Sequence, residues 1–396
     1  MKKEAMFNLS TITEIYDKDG NLKDTVSTAG PNICNMVEIV HNDSSGKLLE
    51  IINFPMKSFT YNWCKWLYCA LSRFNSAMVY TSGAPISGSF IPSFCAVGAN
   101  FSDDTFGIVV GSDEGSFYPM DEDNYCIGTQ LYNGVDSNEL IYHETYVKPL
   151  YTSGDEYVLE ISRVFTNENS SAVTIKEIGL YANISGNLCI IRDIKNENNE
   201  DISVTLAQNE SVEIRYKIKI TQYSGFTKNF LSGLRGYFNY FNYYNVSDSI
   251  SSADTVVVDT TNTSQTTDAL LTLECDAPIY EDDYGIVVGS GINSIDWDST
   301  QLAARILNGD TIDTLKYFIT EFTYNKNSDD NSLYECHIKR SFVNDYSEDI
   351  TITEAGIYGV GESYNRIMTM GVVYPSGITL SEHESMRVNF IIQTGL

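Results

Sequence analysis

Positive charge is scarce in this chain: 25 Lys and Arg stand against 53 Asp and Glu over 396 residues, a formal net charge of −28. So acidic a surface repels phosphate, which excludes a general nucleic-acid binder and suits a protein kept soluble at high local concentration. Long apolar runs are also missing. No stretch approaches the roughly 18 residues of a transmembrane candidate. The opening Met1-Lys2-Lys3-Glu4-Ala5-Met6-Phe7-Asn8 leads into polar residues, so no secretory signal is expected. The eight cysteines (Cys34, Cys64, Cys69, Cys95, Cys126, Cys189, Cys275 and Cys336) include no Cys-x-x-Cys pair. Buried free thiols in a reducing cytoplasm are the expectation. His41, His143, His337 and His383 are not spaced with cysteines as zinc ligands, and Cys336 and His337 would leave opposite faces of a strand.

Catalytic motifs are lacking as well. Gly107 to Ser112 and Gly285 to Gly291 have glycines but no following Lys, so they are read as turns rather than phosphate loops. Asp17-Lys18-Asp19-Gly20-Asn21 does not meet the oxygen spacing of a calcium loop, and a hairpin turn at Asp19-Gly20 is expected. The acidic clusters Asp121-Glu122-Asp123 and Glu281-Asp282-Asp283 read as solvated loops. No catalytic residue, cofactor or metal site is expected, and the chain is not expected to be an enzyme.

Present instead are 42% apolar and 12% aromatic residues, 27 Tyr and 18 Phe among them, enough to bury a sizeable core in two or three domains. The chain also repeats itself. Phe59-Thr60-Tyr61-Asn62-Trp63 matches Phe226-Thr227-Lys228-Asn229-Phe230. Phe106 to Ser112 (FGIVVGS) returns as Tyr284 to Ser290 (YGIVVGS). Ile175 to Tyr181 (IKEIGLY) returns as Ile352 to Tyr358 (ITEAGIY), and Leu206 to Ser211 (LAQNES) as Leu380 to Ser385 (LSEHES). The matches are collinear, which predicts two copies over 59–225 and 226–396, with residues 1–58 an N-terminal segment available to complete the first. The extra length of the second copy falls in the Ser/Thr/Asp-rich Ser247 to Thr267, read as a long exposed loop.

Each copy opens on a helical stripe: Phe59, Trp63, Trp66, Leu67, Ala70, Leu71 and Phe74 in the first, and Phe226, Phe230, Leu234, Phe238 and Phe241 in the second, where Gly233 and Gly236 weaken the pattern. The rest reads as strands. Tyr157 to Phe165, Leu333 to Phe342 and Val212 to Ile220 alternate apolar with polar residues, as antiparallel strands with one wet face do. The predicted fold is mainly β, two tandem β-sandwich-like domains each opened by an amphipathic helix. Centring a hairpin on Ser170 places Arg163 opposite Glu177, and centring one on Ser347 places Arg340 opposite Glu354. Both are read as structural cross-strand ion pairs. Gly107, Gly111, Gly285 and Gly289 are read as turn glycines.

The pattern G-[IL]-V-V-G-[ST], R-x-F-x-N, [IV]-x-I-x-E-x-G-[IL]-Y and L-x-x-x-E-S resembles a module of bacteriophage virion structural proteins, of the kind found in tails, necks and fibres and in the crAss-like group. Gly107 to Ser112, Arg163 to Asn167 and Ile175 to Tyr181 carry it in the first copy; Gly285 to Ser290, Arg340 to Asn344 and Ile352 to Tyr358 carry it in the second. The resemblance implies a structural subunit of a phage particle, most readily an oligomeric tail or neck ring or collar. Its partners would be further copies of itself and other virion proteins, with no direct nucleic-acid contact and no membrane segment. It would be assembled in the host bacterial cytoplasm and located in the virion. A host-binding fibre or capsid-decorating adhesin is the alternative, with Tyr237 to Tyr244 as a candidate sugar-stacking surface. A tail enzyme degrading glycans ranks last.

Overall fold

A computed structural model describes residues 6–30, 33–56, 59–74, 76–86, 95–113, 125–194, 201–239, 256–258, 264–266, 273–326, 333–360 and 366–395. The protein is mainly β, with 53% of residues in strands of several antiparallel sheets and 7% in two helices.

Two large sheets form the frame. One orders its strands Leu48–Pro55, Met36–Asn42, Ser211–Thr221, Glu156–Thr166 and Ile141–Val147, with Tyr151–Ser153 also on Glu156–Thr166. The other runs Leu307–Asn308, Thr314–Lys326, Leu333–Val343, Ser385–Gly395, Met6–Tyr16 and Leu22–Ala29, with Ile33–Cys34 also on Met6–Tyr16. The alternation in Ser211–Thr221 is realised strictly: Val212, Ile214, Tyr216, Ile218 and Ile220 are buried and the residues between them half-buried. The N-terminal segment divides between the sheets. Met36–Asn42 pairs with Ser211–Thr221, whereas Met6–Tyr16 lies in full register along Ser385–Gly395, Met6 opposite Gly395 and Tyr16 opposite Ser385. The expected turn joins Met6–Tyr16 to Leu22–Ala29, with Gly20 at φ +82°, a conformation in which a side chain would be strained.

Two smaller sheets complete the frame: Asn187–Asp193, Glu177–Asn183 and Gly107–Gly111 in one, and Gly285–Gly289, Ile350–Val360 and Arg366–Leu380 in the other. These pairings overturn both expected hairpins. Glu156–Thr166 pairs with Ser211–Thr221 and Ile141–Val147, and Glu177–Asn183 pairs with strands of a different sheet. Likewise Leu333–Val343 pairs with Thr314–Lys326 and Ser385–Gly395, not with Ile350–Val360. Chain connection across a short turn was the only guide to pairing in the sequence. Here that turn carries the chain from one sheet to another.

Helix α1 (Tyr61–Ser72) begins at Thr60, whose hydroxyl accepts from the Trp63 amide, and ends at Arg73 in the left-handed region at φ 55°. The stripe therefore overreaches at both ends: Phe59 precedes the helix and Phe74 is exposed after it. Helix α2 (Lys228–Phe238) accommodates Gly233 because a Cβ there would come within 2.6 Å of the Leu273 side chain. Phe241 and Tyr240 to Tyr244 lie outside the described residues, as do Asp121-Glu122-Asp123 and most of Ser247 to Thr267. Within that last stretch Val256–Val258 pairs with Ser264–Thr266.

Each helix spans two sheets. α1 packs on Asn187–Asp193 and also on Thr314–Lys326 and Leu333–Val343, with Tyr61 against Tyr334 at 4.7 Å and Tyr68 against Tyr324 at 4.9 Å between ring centroids. α2 packs on Arg366–Leu380 and on Glu156–Thr166. The helices meet through Trp66 and Tyr237 (5.3 Å) and Trp63 and Phe238 (6.0 Å). Backbone bonds cross in both directions: Cys95 donates to the Tyr237 carbonyl at the end of α2, and Cys275 to the Leu71 carbonyl at the end of α1. Cys64, Cys69, Cys95, Cys189, Cys275 and Cys336 are free and buried, and Cys126 is free and half-buried.

Candidate functional site

The residues singled out by the repeated motifs are buried, and each is held by main chain. Arg163 sits on Glu156–Thr166 and reaches the neighbouring three-stranded sheet. Its Nε donates to the His143 carbonyl at 2.6 Å and its Nη1 to the Phe106 and Ile108 carbonyls, both at 3.0 Å. Its Nη2 donates to Asn100 O at 3.4 Å and to Asp103 O. The guanidinium lies 4.7 Å from the centroid of the Tyr142 ring. Arg340 makes the corresponding set: Nε to Phe318 O (2.6 Å), Nη1 to Tyr284 O (3.0 Å) and Ile286 O (2.9 Å), Nη2 to Pro278 O (3.0 Å) and Glu281 O (2.5 Å), with Tyr317 4.9 Å away. Burial lowers both arginines to about 10, so both stay charged at neutral pH. Five carbonyls, four from one stretch of chain (100–108 or 278–286) and one from a neighbouring strand, thus converge on one rigid planar group, a task the lysine ammonium cannot match.

The glutamates are separate from the arginines they were expected to face. Glu177 is fully buried and takes both Nε and Nη2 of Arg192 on Oε1, while the Gly128 amide donates to Oε2 at 2.8 Å. Burial pushes its carboxyl upward, and Arg192 opposes that shift. Glu354 instead accepts from three main-chain amides: Gly291 at 3.0 Å and Ala304 at 2.9 Å on Oε1, and Ala303 at 3.2 Å on Oε2. The register explains the exchange. Arg192 pairs with Gly179, and the residue pairing with Gly356 is Gly371, which has no side chain to offer.

The four glycines are not turn residues. They begin and end the strands Gly107–Gly111 and Gly285–Gly289. Gly107 and Gly285 have φ of +80° and +78°, and a Cβ on either would strike a threonine hydroxyl, Thr145 at 2.4 Å or Thr320 at 2.8 Å. At Gly111 and Gly289 a Cβ would come within 2.9 Å of Glu177 Oε2 and 2.5 Å of Glu354 Oε1, so these glycines make room for the buried carboxylates. The R-x-F-x-N asparagines are structural too. Asn167 Nδ2 bonds the Ser171 and Leu206 carbonyls, both at 2.9 Å, and Asn344 Nδ2 the Glu348 and Leu380 carbonyls at 2.8 and 2.9 Å.

Sequence reasoning missed Arg192 and the tyrosines. Tyr142 donates to Leu131 O and receives the Val110 amide. Tyr317 donates to Ile306 O at 2.6 Å and receives the Val288 amide at 3.3 Å. Tyr181 and Tyr358, which close the repeated E-x-G-[IL]-Y motif, accept the Ile127 and Leu302 amides, each at 2.6 Å. Repetition of that last tyrosine was the available signal.

Among the described residues, clefts open on the surface. One of about 430 Å³ lies between Leu9, Tyr223, Ile292, Ile295, Val372 and Pro375. A second, of about 480 Å³, is lined by Phe101, His143, Glu144, Tyr146, Lys148 and Glu213. Beside the second runs a ladder of ion pairs: Lys148 with Glu160 (2.6 Å), Arg215 with Glu38 and Glu213 (both 2.5 Å), Lys217 with Glu38 (2.9 Å) and Lys219 with Glu156 (2.7 Å). The His143 imidazole is lowered by burial and by Arg163. The Glu281, Asp282 and Asp283 carboxylates cluster, and Arg305 lies 3.0 Å from Asp283. Among the described residues no helix is long and apolar enough to cross a membrane. No family model, curated protein or solved structure matches the chain.

Proposed function

We propose that this protein is a structural subunit of a bacteriophage particle, an oligomeric tail or neck component of the ring or collar type, located in the virion and assembled in the bacterial cytoplasm. In this reading the chain is a tandem duplicate of a β-sandwich module over 59–225 and 226–396. Its partners are further copies and other virion proteins, and it carries no reactive chemistry. The observation that supports the reading is the use made of the motif residues. Arg163, Arg340, Glu354, Asn167 and Asn344 are buried and bonded to main chain, and Glu177 is buried against Arg192 and the Gly128 amide. Such groups rigidify a subunit; they leave nothing aimed at a substrate. Two similar modules in one chain would let a ring of one symmetry meet a ring of another.

Native mass spectrometry of the purified protein is expected to give one closed oligomer. Electron microscopy of the particle is expected to place that oligomer at the tail or neck. A strictly monomeric protein that cleaves capsular glycan, with cleavage lost on changing one carboxylate, would overturn the reading.

A further inference from the structure

An apolar patch with an acidic border marks one margin of the seven-stranded sheet. Ile279, Tyr280, Leu307, Ile312, Phe318 and Ile319 are each 39–59% exposed there. They are contiguous: the Tyr280 amide donates to the Tyr317 carbonyl at 2.9 Å, and Leu307–Asn308 lies in parallel along Thr314 and Leu315. The register shift between Tyr317 and Thr320 turns Phe318 and Ile319 outward. Around them stand six carboxylates: Glu281, Asp282, Asp283, Asp310, Asp313 and Glu321. Asp282 and Asp283 are paired with Arg305, Glu321 lies 3.9 Å from Arg387, and Lys316 is engaged by Asp345, so Glu281, Asp310 and Asp313 supply the rest of the border. The margin of the six-stranded sheet has the same make-up. Phe101, Tyr132 and Val135 are exposed beside Asp104, Asp136 and Glu139, and Asp104 holds the Asn133 amide as Asp282 holds the Asn308 amide.

From this geometry we propose that the 279–283/307–321 margin is a docking surface for a different protein, one presenting an extended apolar segment flanked by Lys and Arg. Charge complementarity selects this occupant. Exposed apolar groups of this number form a recognition patch, and the bordering carboxylates choose a basic partner and reject acidic ones. A second copy carries the same net charge of −28 and the same acidic border, so like copies repel here and meet elsewhere. The proposal builds on the assembly reading only in taking the ligand to be a protein.

Three ten-residue peptides with Val at alternate positions, and Lys, Glu or Ser between them, supply the probes for fluorescence anisotropy. The Lys peptide is expected to bind at least tenfold more tightly than the other two, and more weakly in 300 mM than in 50 mM NaCl. The double variants Ile312→Ser/Ile319→Ser and Asp310→Asn/Asp313→Asn are each expected to weaken it at least fivefold with unchanged melting; all four positions are exposed. The proposal is overturned if the Lys peptide does not bind or binds no better than the Ser peptide, or if neither double variant weakens it. It is also overturned if Ile312→Ser/Ile319→Ser dissociates an oligomer of the wild-type chain, since a second copy then occupies the patch. Sedimentation velocity on the same samples reads the assembly proposal separately: a monomer that binds the Lys peptide removes the ring and keeps the docking surface.

Discussion

At the scale of single residues, a buried guanidinium that serves five carbonyls stabilises through acceptors that no other side chain can satisfy together. Removing it leaves those carbonyls without donors. Arg163→Met and Arg340→Met are each expected to lower unfolding free energy by about 3–5 kcal/mol, the range for stripping one partner from a buried charged network. Lys at either position should recover little, because an ammonium cannot reach five acceptors spread over one plane. Urea denaturation of the four variants checks this, and wild-type midpoints for the Met variants would contradict it. The two glutamates offer a sharper contrast. Glu177→Gln leaves Arg192 charged and buried, so Arg192→Gln added to it should restore part of the loss, a coupling of about 0.5–3 kcal/mol in a double-mutant cycle. Glu354, held by amides at 2.9–3.2 Å with Gly371 at the register of Arg192, has no such cation to remove.

At the scale of elements, the end of α1 meets the segment leading into Gly285–Gly289 through a cluster of ionisable groups. Arg73 lies 3.1 Å from Glu274, and Asp276, half-buried beside Glu274, is raised to about 7 by burial and by that neighbour. A folded pKa above the ordinary 3.8 means that neutral Asp276 contributes stability that is complete below the ordinary value and is lost as pH climbs through 7. Asp276→Asn should therefore melt with wild type near pH 4 and several degrees above it at pH 8. Thermal melts of the pair across that range are the check, and a constant difference would exclude the mechanism. Strands such as Glu156–Thr166, Ser211–Thr221 and Leu333–Val343 and both helices were legible in the sequence because alternation and the 3.6-residue stripe survive in Ser211–Thr221 and in α1. Sheet partners were not. Arg163 bonds main-chain oxygens, which every residue has, so nothing in the side chains announces Phe106, Ile108 or His143 as acceptors. The division of the N-terminal segment was hidden for a similar reason: Met6–Tyr16 and Met36–Asn42 both alternate, and alternation does not say which distant strand lies alongside.

At the scale of the molecule, the two large sheets share a core through the pair of helices: α1 packs on the seven-stranded sheet, α2 on the six-stranded sheet, and the two helices pack on each other. Trp66 is fully buried where α1 meets α2, and Trp66→Ala should destabilise the whole by about 3–5 kcal/mol. The wild-type protein is expected to unfold in one calorimetric transition, since neither large sheet keeps its packing once the other is lost. Two separated transitions, only one of them moved by Trp66→Ala, would count against shared cores. The pairing of Met6–Tyr16 with Ser385–Gly395 also bears on how the protein is made. Met6–Tyr16 and its long-range neighbour are separated by most of this sequence, and at ordinary elongation rates about 20–80 s passes between the synthesis of the two. A nascent chain must keep this strand from premature association throughout. A chain that lacks Ser385–Gly395 leaves the hairpin of Met6–Tyr16 and Leu22–Ala29 without the strand it docks on.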